Sequence, residues 1–226
     1  MIAFNNVSKI YNSRTVLEDI DFKIKPGEFV SIVGKSGAGK STIIRLLIGE
    51  EKPSRGRVIF GPHEVNKLKP KELPEIRRQM GIIFQDFKLL PTKTAYENVA
   101  FALEVEGRSQ LEIEELVPQM LDIVGLYDQQ HNFPHELSGG MKQRAAIARA
   151  MVHKPAVIVA DEPTGNLDPV NTWEIIDLLV KINELGTTVI LATHSKEIIN
   201  KITKRVISID EGRIIKDEER GKYFLV

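Results

Sequence analysis

Gly34-Lys35-Ser36-Gly37-Ala38-Gly39-Lys40-Ser41 follows the short apolar run Phe29–Val33 and opens a helical stretch, Ser41–Ile48, with Gly49 as its C-cap. The octet fits Gly-x4-Gly-Lys-Ser, a loop that cradles phosphate when a strand precedes it and a helix follows. Its glycines let the backbone turn so that several N–H groups face one anion, and the helix N-terminus adds partial positive charge. Candidate phosphate contacts are Gly34, Lys35, Ser36, Gly37, Ala38, Gly39, Lys40, Ser41 and Thr42. Lys40 suits neutralisation of β- and γ-phosphate oxygens, and the Ser41 hydroxyl suits Mg2+.

Val157-Ile158-Val159-Ala160-Asp161-Glu162 supplies the complement. Small apolar residues make a buried strand, with two acids at its carboxyl end. Asp161 is the candidate for the Mg2+ shell, through water, and Glu162 for orienting or deprotonating an attacking water. Two adjacent acids after a strand also suit a helix cap. Gln85, after the Gly81–Phe84 strand, is a candidate contact to the metal or the water. His194 follows the Thr188–Ala192 strand, a position from which it could reach a γ-phosphate, although a single histidine also suits a structural role.

The rest of the chain frames these segments. Ile2–Phe4, Lys9–Tyr11, Val16–Ile24 and Arg57–Phe60 read as strands, and Val206–Ile209 as a last one. Helical periodicity runs from Thr94 to about Met151: Tyr96, Val99 and Leu103 share a face, as do Ile113, Val117, Leu121 and Val124, and Met141, Ala145, Ala148 and Val152. A further helix lies between Val170 and Glu184. The expectation is an α/β core, one domain over residues 1–226, with a helical insert at roughly 90–150. The charged tail Lys216–Lys222 reads as a solvated end.

The chain has 226 residues, with 31 basic and 31 acidic side chains. This balance gives no field to gather a polyanion, so nucleic acid is not expected as a partner. With no cysteine, disulfides and Cys-based zinc sites are excluded, which fits a reducing compartment. The start, Met1-Ile2-Ala3-Phe4, lacks a signal-peptide pattern. Apolar runs such as Ala156–Ala160 fall far short of the ~20 residues that span a bilayer. Any membrane role is expected to come through a partner.

Taken in order, the phosphate loop, Gln85, Leu137-Ser138-Gly139-Gly140-Met141, Asp161-Glu162, Asn166-Leu167-Asp168 and His194 resemble the ATP-binding subunit of ABC systems. The resemblance covers nearly the whole chain. It implies a P-loop NTPase core with an N-terminal antiparallel β-subdomain and an inserted α-helical subdomain. Ser138 suits a helix N-cap, and the glycines after it leave N–H groups free to approach a phosphate. The resemblance implies that Ser138, Gly139 and Gly140 grip nucleotide held by a second copy, with Asn166 and Asp168 along the same seam. ATP then joins a head-to-tail homodimer. Tyr11 matches the aromatic residue that stacks on adenine. Two positions depart from the pattern: Met141, where Glu or Gln is common, and Ser195, where Asp is common.

Pro163-Thr164-Gly165-Asn166-Leu167-Asp168 is similar to the subgroup of lipoprotein-release, macrolide-export and cell-division ATPases. The stretch Gln85–Val99, with Asn132-Phe133-Pro134 and Lys154-Pro155-Ala156, is most similar to the FtsE-type cell-division subunits. That resemblance implies hydrolysis of ATP coupled to an FtsX-type membrane protein, at the cytoplasmic face of the membrane, to regulate peptidoglycan hydrolysis. An exporter ATPase and an ATP-gated scaffold with little turnover stand as alternatives. The partner is expected near Phe87, Leu89, Leu90 and the helix face Tyr96, Val99 and Leu103, for which core packing is the competing reading.

Overall fold

The computed structural model describes residues 1–223; the last three residues of the expected domain lie outside them. Two sheets form among the described residues. The first has the order β2-β1-β4-β5, from β1 (Ile2–Tyr11), β2 (Arg14–Ile24), β4 (Arg55–Phe60) and β5 (His63–Glu64). Its pairings are antiparallel. Asn12 and Ser13, both left-handed with φ 45 and 66, close the β1–β2 hairpin in the sense that matches strand twist. Sequence punctuation at Asn5-Asn6 suggests two separate strands, but β1 runs through it. Asn6 (φ 47) sits at a register shift and donates its N–H to the Asp21 carboxylate at 3.2 Å, making a bulge rather than a break.

The second sheet has the order β10-β9-β3-β8-β7-β6. It contains β3 (Phe29–Val33), β6 (Met80–Phe84), β7 (Val157–Asp161), β8 (Thr188–Thr193), β9 (Arg205–Asp210) and β10 (Arg213–Glu218). All its pairings are parallel except β9–β10. Burial on both faces explains why β3, β7 and β8 read as unbroken apolar runs. Alternate residues divide between two cores. Val157, Val159, Ile190 and Ala192 pack with the first sheet and with Ile43, Ile44 and Leu47 of α1 (Lys40–Leu47). Ile158, Ala160, Val189 and Leu191 pack with helices on the other face. Each fully buried Leu, Ile or Val stabilises by about 1.5–3 kcal/mol, so the sheet is held from both sides.

Helix α2 (Leu73–Arg77) precedes β6; α3 (Ala95–Glu106), α4 (Gln110–Ile123) and α5 (Gly139–Met151) lie between β6 and β7 in sequence. Capping boxes start α3 at Thr94 and α4 at Ser109. Helix α5 packs on both β6 and α3, tying these helices to the sheet. Helix α6 (Pro169–Glu184) covers the same face, and α7 (Lys196–Ile202) follows β8.

Two sequence expectations are corrected. Val99 and Leu103 are core residues, 0% and 1% exposed, and Tyr96 is half-buried against the same cluster. Helix α3 is covered by α4 and α5, so its apolar periodicity marks packing within the fold; Phe101 and Val105 are its exposed apolar residues. The tail is also not simply solvated, since Lys216, Asp217 and Glu218 belong to β10. Arg205 holds that strand with donors to both Asp217 oxygens (2.8 and 2.7 Å), and it also bonds Lys23 O and Glu28. Those bonds raise the guanidinium pKa well above its ordinary value. No helix among the described residues is long and apolar enough to cross a membrane.

Candidate active site

Strands β6, β7 and β8 lie side by side in parallel, with Phe84, Asp161 and Ala192 in register. Gln85, Glu162 and His194 each follow one of these strands immediately, so they emerge together at the carboxyl edge of the sheet. This is where open α/β sheets place ligands. A cleft of about 880 Å3 there is lined by Tyr11, Ser36, Gly37, Gly39, Lys40, Ser41, Thr42, Gln85, Glu162 and His194.

The loop between β3 and α1 is shaped by crowding. A Cβ on Gly34 would stand 2.5 Å from Ile209 O, and one on Gly39 2.5 Å from a Leu17 methyl carbon, with φ at 108 besides. Only glycine fits either position. The Lys40 ammonium donates to Gly34 O (2.8 Å) and Lys35 O (3.3 Å), drawing the loop around itself. Ala38 faces inward and joins the core.

Glu162 stands at the centre. Its Oε1 lies 3.3 Å from Lys40 Nζ and 2.9 Å from His194 Nδ1. Lys40 and Glu162 are nearly buried there, whereas the His194 side chain is 63% exposed. Glu162 has a left-handed backbone (φ 48), and its N–H donates to Ala192 O at 2.9 Å. Strain of this kind collects at working sites. Burial raises the Asp161 pKa above its ordinary value and the nearby Glu162 charge adds to this, while the Ser41 hydroxyl, Lys40 and Arg45 pull it down. Asp161 Oδ1 is buried without a hydrogen-bond partner. An orphaned carboxylate oxygen beside a serine hydroxyl fits a hard divalent cation. Among the described residues no cluster of three or more acids and histidines forms a cation cage.

Gln85 is exposed and exchanges contacts with Asn166: Asn166 Nδ2 donates to Gln85 O at 3.0 Å, and Gln85 Nε2 reaches Asn166 Oδ1 at 3.5 Å. Lys9 Nζ covers one face of the Tyr11 ring at 4.5 Å from its centroid, and is itself fixed by Glu51 and Lys52 O.

Ser138, Gly139, Gly140 and Asp168 do not line this cleft. Ser138 caps α5, its Oγ accepting from Met141 N at 3.3 Å, and Met141 packs against the core. Asp168 caps α6 through Val170 N and Asn171 N, both at 3.0 Å. Asn171 donates to Asp168 and fills the space where any Gly140 side chain would go. Ser195 caps α7, accepting from Ile198 N at 3.4 Å.

Four polar residues escaped the sequence reading. Asn12 and Arg14, at the hairpin tip, line the cleft; the Asn-Ser turn signal was there to find them. Asn98 is fully buried, accepting from Leu90 N and donating to Leu90 O, Lys93 O and Thr94 O. Arg149 donates to Lys88 O and Phe87 O, residues with left-handed backbones (φ 48 and 61) that cost about 1–3 kcal/mol each. A lone amide among the apolar positions of α3 was the available signal for Asn98, whereas Arg149, one of two arginines on α5, offered none.

A model of the ABC transporter family matches residues 17–165. The cell division ATP-binding protein FtsE of Bacillus subtilis is 50% identical over 224 residues, covering 99% of this chain and 98% of that protein. FtsE of Mycobacterium tuberculosis is 49% identical over 225 residues, covering 99% and 98%. An ATP-binding cassette solved as a dimer in a post-hydrolysis state, with ADP and phosphate, superposes with TM-score 0.89 at 35% identity, covering 99% of this chain and 100% of that one. A dimeric bacterial ABC transporter cassette gives 0.90 at 37%, with the same coverage.

Proposed function

The chain belongs to the ABC transporter ATP-binding family, and on that premise we propose that it hydrolyses ATP between two face-to-face copies of itself. One observation carries this reading: Lys40, Ser41, Gln85, Glu162 and His194 line one cleft, while the Ser138–Gly140 clamp stands outside it. The clamp serves the cleft of a second copy. Lys40 neutralises the terminal phosphates, and Glu162, held between Lys40 and His194, directs the attacking water. His194 bonds the γ-phosphate, Gln85 orients the water, and Tyr11 stacks on adenine with its free face. Ser41, Asp161 through water, and Gln85 would hold Mg2+, which would supply charge neutralisation at the phosphates.

Mixing two inactive variants tests the composite site. Ser138→Arg blocks the clamp but keeps the cleft; Glu162→Gln disables the cleft but keeps the clamp. Neither alone should turn over ATP, whereas their mixture should recover phosphate release through hybrid pairs. A mixture as inactive as its components refutes sharing between copies.

The near-full-length identity to FtsE proteins supports a role in cell division, with closure passed to an FtsX-type membrane protein that controls peptidoglycan hydrolysis. The transporter cassettes are less identical. The partner's docking site is a groove of about 330 Å3 lined by Pro74, Arg78, Phe101, Val105, Arg149 and His153. Its exposed apolar residues Phe101 and Val105 suit the apolar face of a short partner helix, with Arg77, Arg78 and Glu106 as the charged groups beside them. Val105→Glu should abolish co-purification with the FtsX-type partner while ATP binding persists. Retained co-purification moves the docking site elsewhere.

A further inference from the structure

One strong contact has no part in the reaction as proposed: the grip of Arg149 on the turn just after Gln85. Its two terminal nitrogens donate to Lys88 O at 2.6 Å and Phe87 O at 2.9 Å. Both turn residues have left-handed backbones, which Phe and Lys adopt only under constraint. Within the turn, Phe87 N–H donates to Phe84 O (3.2 Å), Lys88 N–H to Asp86 O (2.6 Å), and Lys88 pairs with Asp86 at the surface. None of these reaches the helices.

Arg149 forms no ion pair among the described residues, and burial pushes its pKa below the ordinary arginine value. A desolvated guanidinium whose recorded partners are two carbonyls holds them firmly, because release would leave the charge unmatched. The segment after β6 is thereby pinned in three places. Asn166 holds Gln85, Arg149 of α5 holds Phe87 and Lys88, and Asn98 of α3 holds Leu90.

We propose that Arg149 is a positioning residue for hydrolysis. By holding the Phe87–Lys88 turn, it keeps Gln85 directed into the cleft and couples that turn to α5. Ser138–Gly140 lies at the other end of the same helix, so a shift of the clamp reaches Gln85 through Arg149. This rests on the ATPase reading, since turnover is its principal readout.

Arg149→Ala should lower kcat roughly tenfold to a hundredfold, the scale of displacing a reacting constellation by about 1 Å. ATP affinity should be unchanged. Glycine adopts the left-handed region without strain, so Lys88→Gly alone should leave turnover near wild type. Added to Arg149→Ala, it should restore part of the loss. Arg149→Lys keeps the charge but not the planar fork; it should fall between, and it stands in if the alanine variant does not fold.

Unchanged turnover in both Arg149 variants overturns the proposal. So does a loss that Lys88→Gly leaves unrelieved, or one matched by an equal loss of ATP affinity; either marks the arginine as merely structural. Amide hydrogen exchange at residues 86–90 separates this proposal from the ATPase reading. Faster exchange in the Arg149 variants should appear whether or not the wild type hydrolyses ATP, and its absence sinks the proposal. A wild type without turnover sinks the ATPase reading alone.

Discussion

At the ends of β6, β7 and β8, each polar group leans on another: Lys40 on two loop carbonyls, Glu162 on Lys40 and His194, Gln85 on Asn166. At the amino end of α5, Ser138 is exposed and bonds its own helix. The first region is set into a sheet buried on both faces. The second is carried by a helix packed on the edge strand β6 and on other helices. The difference teaches where fixed geometry and outward contact belong. Groups that must keep fixed distances sit at strand ends, while the proposed contact with a second copy is presented at the exposed start of a helix.

The largest expected effect tests the sheet-borne region. Glu162→Gln should cut phosphate release by roughly two to four powers of ten, yet keep ATP binding and accumulate a dimer on sizing with ATP and Mg2+. A monomer under those conditions would break the comparison at its root.

A smaller effect tests the helix-borne region. In Gly140→Ala the new methyl collides with Asn171, so Asn171 must leave Asp168. Overpacking of this kind costs about 1–3 kcal/mol, or a fall in Tm of about 2–4 °C for each kcal/mol at this chain length. Adding Asn171→Ala should relieve it. A Gly140→Ala protein as stable as wild type would show that this corner is softer than its geometry indicates.

The smallest effect on stability concerns Asp161 and separates stability from chemistry. Burial raises its pKa above the ordinary 3.8, so between 3.8 and the raised value the folded chain keeps a proton that the unfolded chain releases. The stability this contributes is fully present below about pH 3.8 and is lost as pH rises through the raised value. Nucleotide-free Asp161→Asn should therefore melt higher than wild type at neutral pH, with the advantage fading in acid, while its turnover is lost. A lower melting point across the range would contradict the burial argument.

What could be read from the sequence follows the range of the interactions. The phosphate loop and Asp161-Glu162 were legible because local patterns specify them: a strand, a turn, an adjacent pair of acids. The edge residues of the same sheet were not. Lys216–Glu218 look like a polar tail until pairing with β9 brings Asp217 close to Arg205, which holds it. Val99 and Leu103 misled because an apolar stripe says that a face is covered without saying by what. Helices α4 and α5 cover it, not a partner. Arg149 was illegible for the same reason, its two acceptors lying some sixty positions away in the chain.

Gly140, Asn171 and Asp168 carry a consequence for how such a chain can drift. The amide of one fills the side-chain space of the second and is anchored by the carboxylate of the third. No one of them can be exchanged freely, although they lie in segments a whole strand apart. Lineages that alter this corner should therefore show paired replacements, with the intermediate single changes purged before they spread.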